Sequence, residues 1–467
     1  MTAHPAFVTL FAVSFVATGV VHAQTFKVEK FNIGGEGGHD YIVAEPGTGR
    51  VFVSRGSHVM VLDGPTGKVI GDIPNTPRVH GVGPAPKGMT RVSAQTTPAR
   101  VDRAEHRDFT IANFQTESGV VLPAARVVYG TYGRLNAARD NAVLLPSHYM
   151  ATHHGYVWLI GPGQALDTTR LFLIATELFG NGFSSSPSNT PEPYHGPRFP
   201  VTTIRDNVEA VHRLLVEDLK VTHLRAVIGF SMGAQQAFQW AVSYPMFADR
   251  IVATAGTAKT YGHGIVRLEG EIAALTADSA FHGGEYTTPP KQGLAAFGMV
   301  WAAWLYSQEW WRRELWRSTS APGTTFEQYM NTFRTRFSAD ANNYILQART
   351  WEQHDVGGTA GFNGDTDRAL RSITAEVLYM PSETDLYFPI GDARYEAQFI
   401  PRVTLLPIPS LWGHPAGAGA NAADRAFLNQ SIGRFLAGEP SRAKRPAVSA
   451  TPSQPKRASI TGRTKRF

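Results

Sequence analysis

The run Leu224-Arg225-Ala226-Val227-Ile228-Gly229-Phe230-Ser231-Met232-Gly233-Ala234 decides how the rest of the chain is read. Its first five residues read as a buried strand, and Ala234–Tyr244 reads as a helix. Between them lies the G-x-S-x-G pentapeptide Gly229-Phe230-Ser231-Met232-Gly233. Alone the pentapeptide says little, but a strand-to-helix setting gives it a mechanical meaning. A sharp turn there holds Ser231 in a strained conformation, and the flanking glycines let neighbouring backbone approach. The helix start aims free N–H groups at the reacting centre, which makes Met232 N–H a candidate oxyanion donor.

A serine hydroxyl needs a base to become a useful nucleophile, and the base needs an orienting carboxylate. Acid and histidine are expected in that order, each on a loop after a late strand. Asp385 follows the strand-like Glu376–Met380, and His414 follows Val403–Ile408. Glu383 and Asp392 are rival acids, ranked below Asp385 for their placement after the strand. His354 precedes the last two strands and is read as structural. A second oxyanion donor is expected after the strand Ala142–Pro146, from the N–H of Met150 or of Tyr149. The nearby His153-His154 pair lacks a carboxylate at helical spacing, so a pocket-lining loop is preferred to a metal site. No metal or other cofactor is expected.

Further out, strand-like runs recur at Val127–Tyr132, Leu171–Thr176 and Ile251–Ala255. Several are unbroken apolar stretches, as parallel strands covered on both faces require. A helix is predicted from Ile204 to Leu219, with Thr203 and Asp206 as a capping box and Val208, Val211, Leu215 and Leu219 on one face. This alternation argues for a doubly wound, mostly parallel α/β sheet over about 105–437. Residues 260–370 break it. They are helical and hold Trp301, Trp304, Trp310, Trp311 and Trp316, read as the core of an inserted cap rather than a ligand cage. Gly417-Ala418-Gly419-Ala420-Asn421-Ala422 matches a dinucleotide fingerprint but opens no βαβ unit, so it is discounted.

The 467-residue chain is 43% hydrophobic and 18% charged, the composition of a globular protein. It has no cysteine, which removes disulfides, thiolate metal sites and a cysteine nucleophile. Eight basic and no acidic residues lie in 440–467; taking those eight from the net +6 leaves −2. Residues 438–467 therefore read as a solvated basic tail, and no nucleic-acid partner is expected. The apolar run Pro5–Val21, ending near Ala23, reads as a signal peptide over 1–23, with no membrane span in the mature chain. Secretion or a periplasmic location follows if that signal is used, and a cytoplasmic one otherwise; Met89 is an alternative start. Residues 24–86 carry short β-branched runs separated by Gly/Pro turns, the pattern of an antiparallel meander. Their wording, "VLDGPTGKVIGDIP" then "VHGVGPAPKG", resembles a blade of YVTN-type β-propellers. One blade cannot close a ring.

Residues 108–436 resemble the homoserine O-acetyltransferase family. The resemblance rests on "YGTYGRLN", "IGPGQALDT", "LFLIATELFGNGFSSSPS", "FPVTTIRDNVEAVHRLL", "VIGFSMGAQQAFQWAVSYP" and "SETDLYFP". It implies an α/β-hydrolase fold with a helical cap, a Ser231–Asp385–His414 triad, and an acyl group that rests on the serine. This sequence departs from the family at Phe230 and Ala234, where the family elbow has glycines, and at Pro415, where it usually has Asp. Gly298 stands where the family has the arginine that pairs with the amino acid's carboxylate, and glycine offers no substitute for that contact. The leading expectation is therefore a serine hydrolase of small acyl esters. The alternative is an O-acyltransferase from acyl-CoA to an alcohol, and a third reading is a non-catalytic binding protein on the same scaffold. Expected partners are a small acyl ester or acyl-CoA, with a homodimer as the assembly to test.

Overall fold

The computed structural model describes residues 42–45, 48–55, 58–73, 104 and 106–439, in two units divided after Gln95. The expected signal peptide and all but the first two residues of the expected tail lie outside the described residues. In the first unit, β1 (Ile42–Ala44), β2 (Arg50–Ser54), β3 (Val59–Asp63) and β4 (Val69–Ile73) form an antiparallel sheet in sequence order. Gly49 and Gly67 take positive φ at its turns, as the Gly/Pro punctuation predicts. Val53, Met60 and Leu62 make its small apolar core.

The second unit is built on one eight-stranded sheet. Its strands are β5 (Arg107–Gln115), β6 (Val121–Tyr132), β7 (Ala142–Pro146), β8 (Phe172–Thr176), β9 (Ala226–Phe230), β10 (Arg250–Thr254), β11 (Glu376–Met380) and β12 (Val403–Leu405). Across the sheet the order is β12-β11-β10-β9-β7-β8-β6-β5. From β8 to β12 all neighbours are parallel, whereas β6 is antiparallel to both β5 and β8. Every residue of β7 and β9 is buried, because alternate side chains enter opposite cores. Val143, Leu145 and Ile228 join one core with Leu428 and Ile432 of a C-terminal helix, α10 (Ala422–Leu436). Leu144 and Val227 join the other, with the helices that follow β8 and β9.

Three details differ from expectation. The β5–β6 hairpin was predicted only in its last six residues. β12 ends at Leu405 rather than Ile408: Leu406 N–H still donates to Tyr379 O, but Pro381 opposite has no N–H to return, and pairing resumes only as an isolated bridge at Ile408. The helix α1 (Ile204–Arg213) starts with the predicted Thr203/Asp206 capping box but passes into a π-helical turn over Leu214–Asp218.

Between β10 and β11 the chain leaves the sheet as α3 (Gly262–Thr276), α4 (Lys291–Leu305), α5 (Gln308–Arg312), α6 (Phe326–Arg336), α7 (Ala341–Glu352) and α8 (Thr366–Arg371). Trp310 and Trp316 are fully buried there, and Tyr306 stacks on Trp310 at 3.7 Å between ring centroids. Helices α4 and α6 touch so closely that a Cβ on Gly298 would lie 2.1 Å from Phe333 O. No helix among the described residues is long and apolar enough to cross a membrane.

Candidate active site

Strand β9 delivers Ser231 to a turn with φ 57° and ψ −124°, and α2 (Met232–Ser243) begins at the next residue. That backbone is strained for any L residue and holds the hydroxyl clear of both strand and helix. The turn is as tight as the pentapeptide predicts: a Cβ on Gly229 would sit 1.9 Å from Gly233 O, and one on Gly233 would sit 2.4 Å from Pro146 O. Sequence reasoning missed a third such position, Gly256, whose Cβ would meet Ser231 O at 2.6 Å. It also missed Tyr156. The Tyr156 hydroxyl donates to Pro146 O (2.7 Å) and accepts from Phe230 N (3.0 Å), tying the ends of β7 and β9 together beside the serine.

The loops after β11 and β12 bring Asp385 and His414 to the same place. His414 Nε2 lies 2.9 Å from Ser231 Oγ, and His414 Nδ1 lies 2.9 Å from Asp385 Oδ2. The other carboxylate oxygen, Oδ1, accepts N–H bonds from Tyr387 (2.8 Å) and Phe388 (3.1 Å). An ionised Asp385 can only accept, so Nδ1 carries a proton and Nε2 is left to take the serine's. All three residues are at most 5% exposed. Phe230, Tyr387, Phe388 and Trp351 surround the imidazole at centroid distances of 4.8, 4.7, 5.6 and 6.5 Å. Thr384, with no signal in the sequence, joins the two loops by accepting from Gly413 N (3.2 Å) and donating to Ser410 O (2.8 Å).

The rival groups stand elsewhere. Glu383 is exposed, Asp392 sits in the first turn of α9 (Ile390–Glu396), and both His414 nitrogens are already engaged. His354 is buried, and burial holds its pKa down at about 3, so it packs as a neutral ring.

Met232 N–H heads α2, where no residue of the helix can accept it. The Met150 expectation is corrected: its N–H donates to Gln347 Oε1 at 2.6 Å, and Gln347 Nε2 in turn donates to Phe179 O. That leaves Tyr149 N–H as the loop's other candidate. His148, on the same loop, meets Phe230 edge-on at 4.9 Å, and burial lowers its pKa to about 4. His153 Nδ1 pairs with Glu177 Oε1 at 2.6 Å, which makes this histidine a buried brace for the loop. Among the described residues no cluster of three or more His, Cys, Asp or Glu could hold a metal ion.

A mostly parallel sheet with the serine turn after β9, a helical insertion after β10, and acid and histidine loops after β11 and β12 defines an α/β-hydrolase-fold enzyme. Residues 149–417 match the family model described as the alpha/beta hydrolase fold, and the chain belongs to that family. It is 35% identical over 339 residues to an ethyl acetate hydrolase of Pseudomonas veronii, covering 71% of this chain and 96% of that protein. It is 32% identical over 321 residues to a homoserine O-acetyltransferase of Chloroherpeton thalassium, covering 65% and 83%. The solved structure of an acetylester hydrolase from Corynebacterium glutamicum superimposes with a TM-score of 0.69 at 32% identity, covering 71% of this chain and 96% of that one.

Proposed function

We propose that the protein hydrolyses small acyl esters through an acyl intermediate on Ser231. The observation that supports this best is the continuous hydrogen-bonded chain from Asp385 through His414 to Ser231. In this reading Ser231 Oγ attacks the ester carbonyl while His414 Nε2 takes its proton, and Asp385 steadies the imidazolium. The carbonyl oxygen becomes an oxyanion held by Met232 N–H, with Tyr149 N–H as the second donor. Collapse expels the alcohol, which receives the proton from His414. Water then attacks the acyl-serine with His414 again as base, and the acid leaves. The similarity to an ethyl acetate hydrolase favours an acetyl group. In the same reading residues 1–23 export the protein and the four-stranded unit is an appendage resembling a propeller blade; the chemistry draws on neither.

The second reading, acyl transfer to homoserine, is favoured by the resemblance to homoserine O-acetyltransferases. Gly298 argues against it. The experiment is turnover of p-nitrophenyl acetate with and without millimolar homoserine. The expected result is an unchanged rate and no O-acetylhomoserine by mass spectrometry; saturable formation of that product would restore the transferase reading. Gly298→Arg should not create the activity, because its Cβ alone would strike Phe333 O. That overpacking should cost about 1–3 kcal/mol of stability, read as a lowered melting temperature. An unchanged melting temperature would show that α4 and α6 separate readily.

A further inference from the structure

Helix α3 carries a buried ion pair that the reaction above leaves unused. Arg267 Nη1 donates to Glu271 Oε1 at 2.5 Å, and both side chains are 0% exposed. The guanidinium lies over Tyr387 at 3.9 Å, Trp351 at 4.4 Å and Trp301 at 5.7 Å. Two of those rings also line His414, with Tyr387 4.7 Å from it. The guanidinium carbon is thus no farther from the imidazole than those two Tyr387 separations laid end to end.

The pair is short of hydrogen bonds. An arginine has five N–H donors and a carboxylate has two acceptor oxygens. Arg267 Nε and Nη2 have no acceptor, and Glu271 Oε2 has no donor, among the described residues. The hydroxyls of two tyrosines in this cluster donate elsewhere: Tyr149 to Tyr344 O at 2.8 Å, and Tyr387 to Trp301 O at 2.9 Å. A buried charged pair left in that state is disfavoured unless a bound group completes it.

The chemistry of the deficit selects the group. Nε and Nη2 share one edge of the planar fork and ask for an acceptor, while Oε2 asks for a donor. Burial raises the Glu271 carboxyl pKa to about 7 while Arg267 beside it pulls it down, and in its ionised form Glu271 balances the guanidinium. A carboxylate would serve the fork but has no proton to give Oε2. A hydroxyl is neutral, accepts through its lone pairs and donates its proton. We propose that Arg267 and Glu271 bind a hydroxyl on the alcohol portion of the substrate, so that the preferred substrates are short acyl esters of diols. This rests on the esterase reading and names its substrate class.

The test compares kcat/KM of the unmodified enzyme for 2-hydroxyethyl, 3-hydroxypropyl and 4-hydroxybutyl acetate with the size-matched propyl, butyl and pentyl acetates. At least one hydroxy ester should exceed its match by about tenfold or more, because a site with buried polar groups rejects the analogue that leaves them unpaired. Arg267→Met and Glu271→Gln should each bring that ratio toward one. Ratios at or below one for all three pairs, with alkyl acetates still hydrolysed, overturn the inference and leave the esterase reading standing. A high ratio that both variants preserve overturns it as well, by assigning the hydroxyl to another group. Absence of turnover in both series overturns the esterase reading itself and this inference with it. Should the variants fail to fold, ratios at or below one in the unmodified protein still overturn the inference.

Discussion

Ser231→Ala should lower the turnover of p-nitrophenyl acetate by about four to six orders of magnitude while leaving the melting temperature within a degree or two, roughly the scale of losing one hydrogen bond. The reaction needs a bond between the substrate carbonyl and Oγ, and among the described residues no other hydroxyl bonds His414. The fold asks less of this side chain. Its backbone sits at φ 57°, where alanine meets the same strain as serine. The N–H still donates to Thr254 O, and the carbonyl still accepts from Ala234 and Gln235 at the head of α2. What remains is the oxyanion donors and the binding surface, which sustain a small residual rate. Folding is checked by circular dichroism and turnover by nitrophenolate release. A folded variant with ordinary turnover would remove Ser231 from the chemistry.

The parts of this site legible in the sequence were those with a local signature. The elbow could be read because tight backbone contacts demand glycine at 229 and 233, and the capping box at Thr203 because both its partners lie within four residues. Asp385 and His414 are expected from their places after two strands, since chain order carries that information, and the structure brings both into one hydrogen-bonded chain with Ser231. The β5–β6 hairpin went unread in part because it lies at the sheet edge. Ile111 and Phe114, and Leu122 and Ala125, are buried three residues apart with two exposed residues between them, so they form neither an unbroken apolar run nor a strict alternation. Tyr156, Thr384 and Gly256 were invisible for a different reason. Each acts through a partner at least 25 residues away, as Tyr156 does on Phe230 at a separation of 74. The same cause undid Met150, whose N–H is taken by Gln347, 197 residues further on. Arg267 belongs to no local pattern; its burial over Tyr387 depends on helices whose packing the sequence spacing does not encode.

Asp385→Asn should cost about four orders of magnitude in kcat with little change in KM, and the hydrogen bonds around the carboxylate say why. Oδ1 accepts from two backbone N–H groups, those of Tyr387 and Phe388. An asparagine must present its carbonyl oxygen to those donors, because turning its NH2 toward them would set donor against donor in a buried site. The amide NH2 then falls where Oδ2 was, facing His414 Nδ1. Nδ1 becomes an acceptor, the ring's proton moves to Nε2, and Nε2 can no longer take the proton of Ser231. The fold should survive, since every backbone donor keeps its acceptor and the two side chains are nearly the same size. Asp392→Asn serves as the control, because that residue sits on α9 and touches neither His414 nitrogen. Its kcat should stay within about twofold, in keeping with a partly exposed position away from the reacting groups. The reverse pattern, with Asp392→Asn crippled and Asp385→Asn close to normal, would show that the acid had been assigned to the wrong loop position.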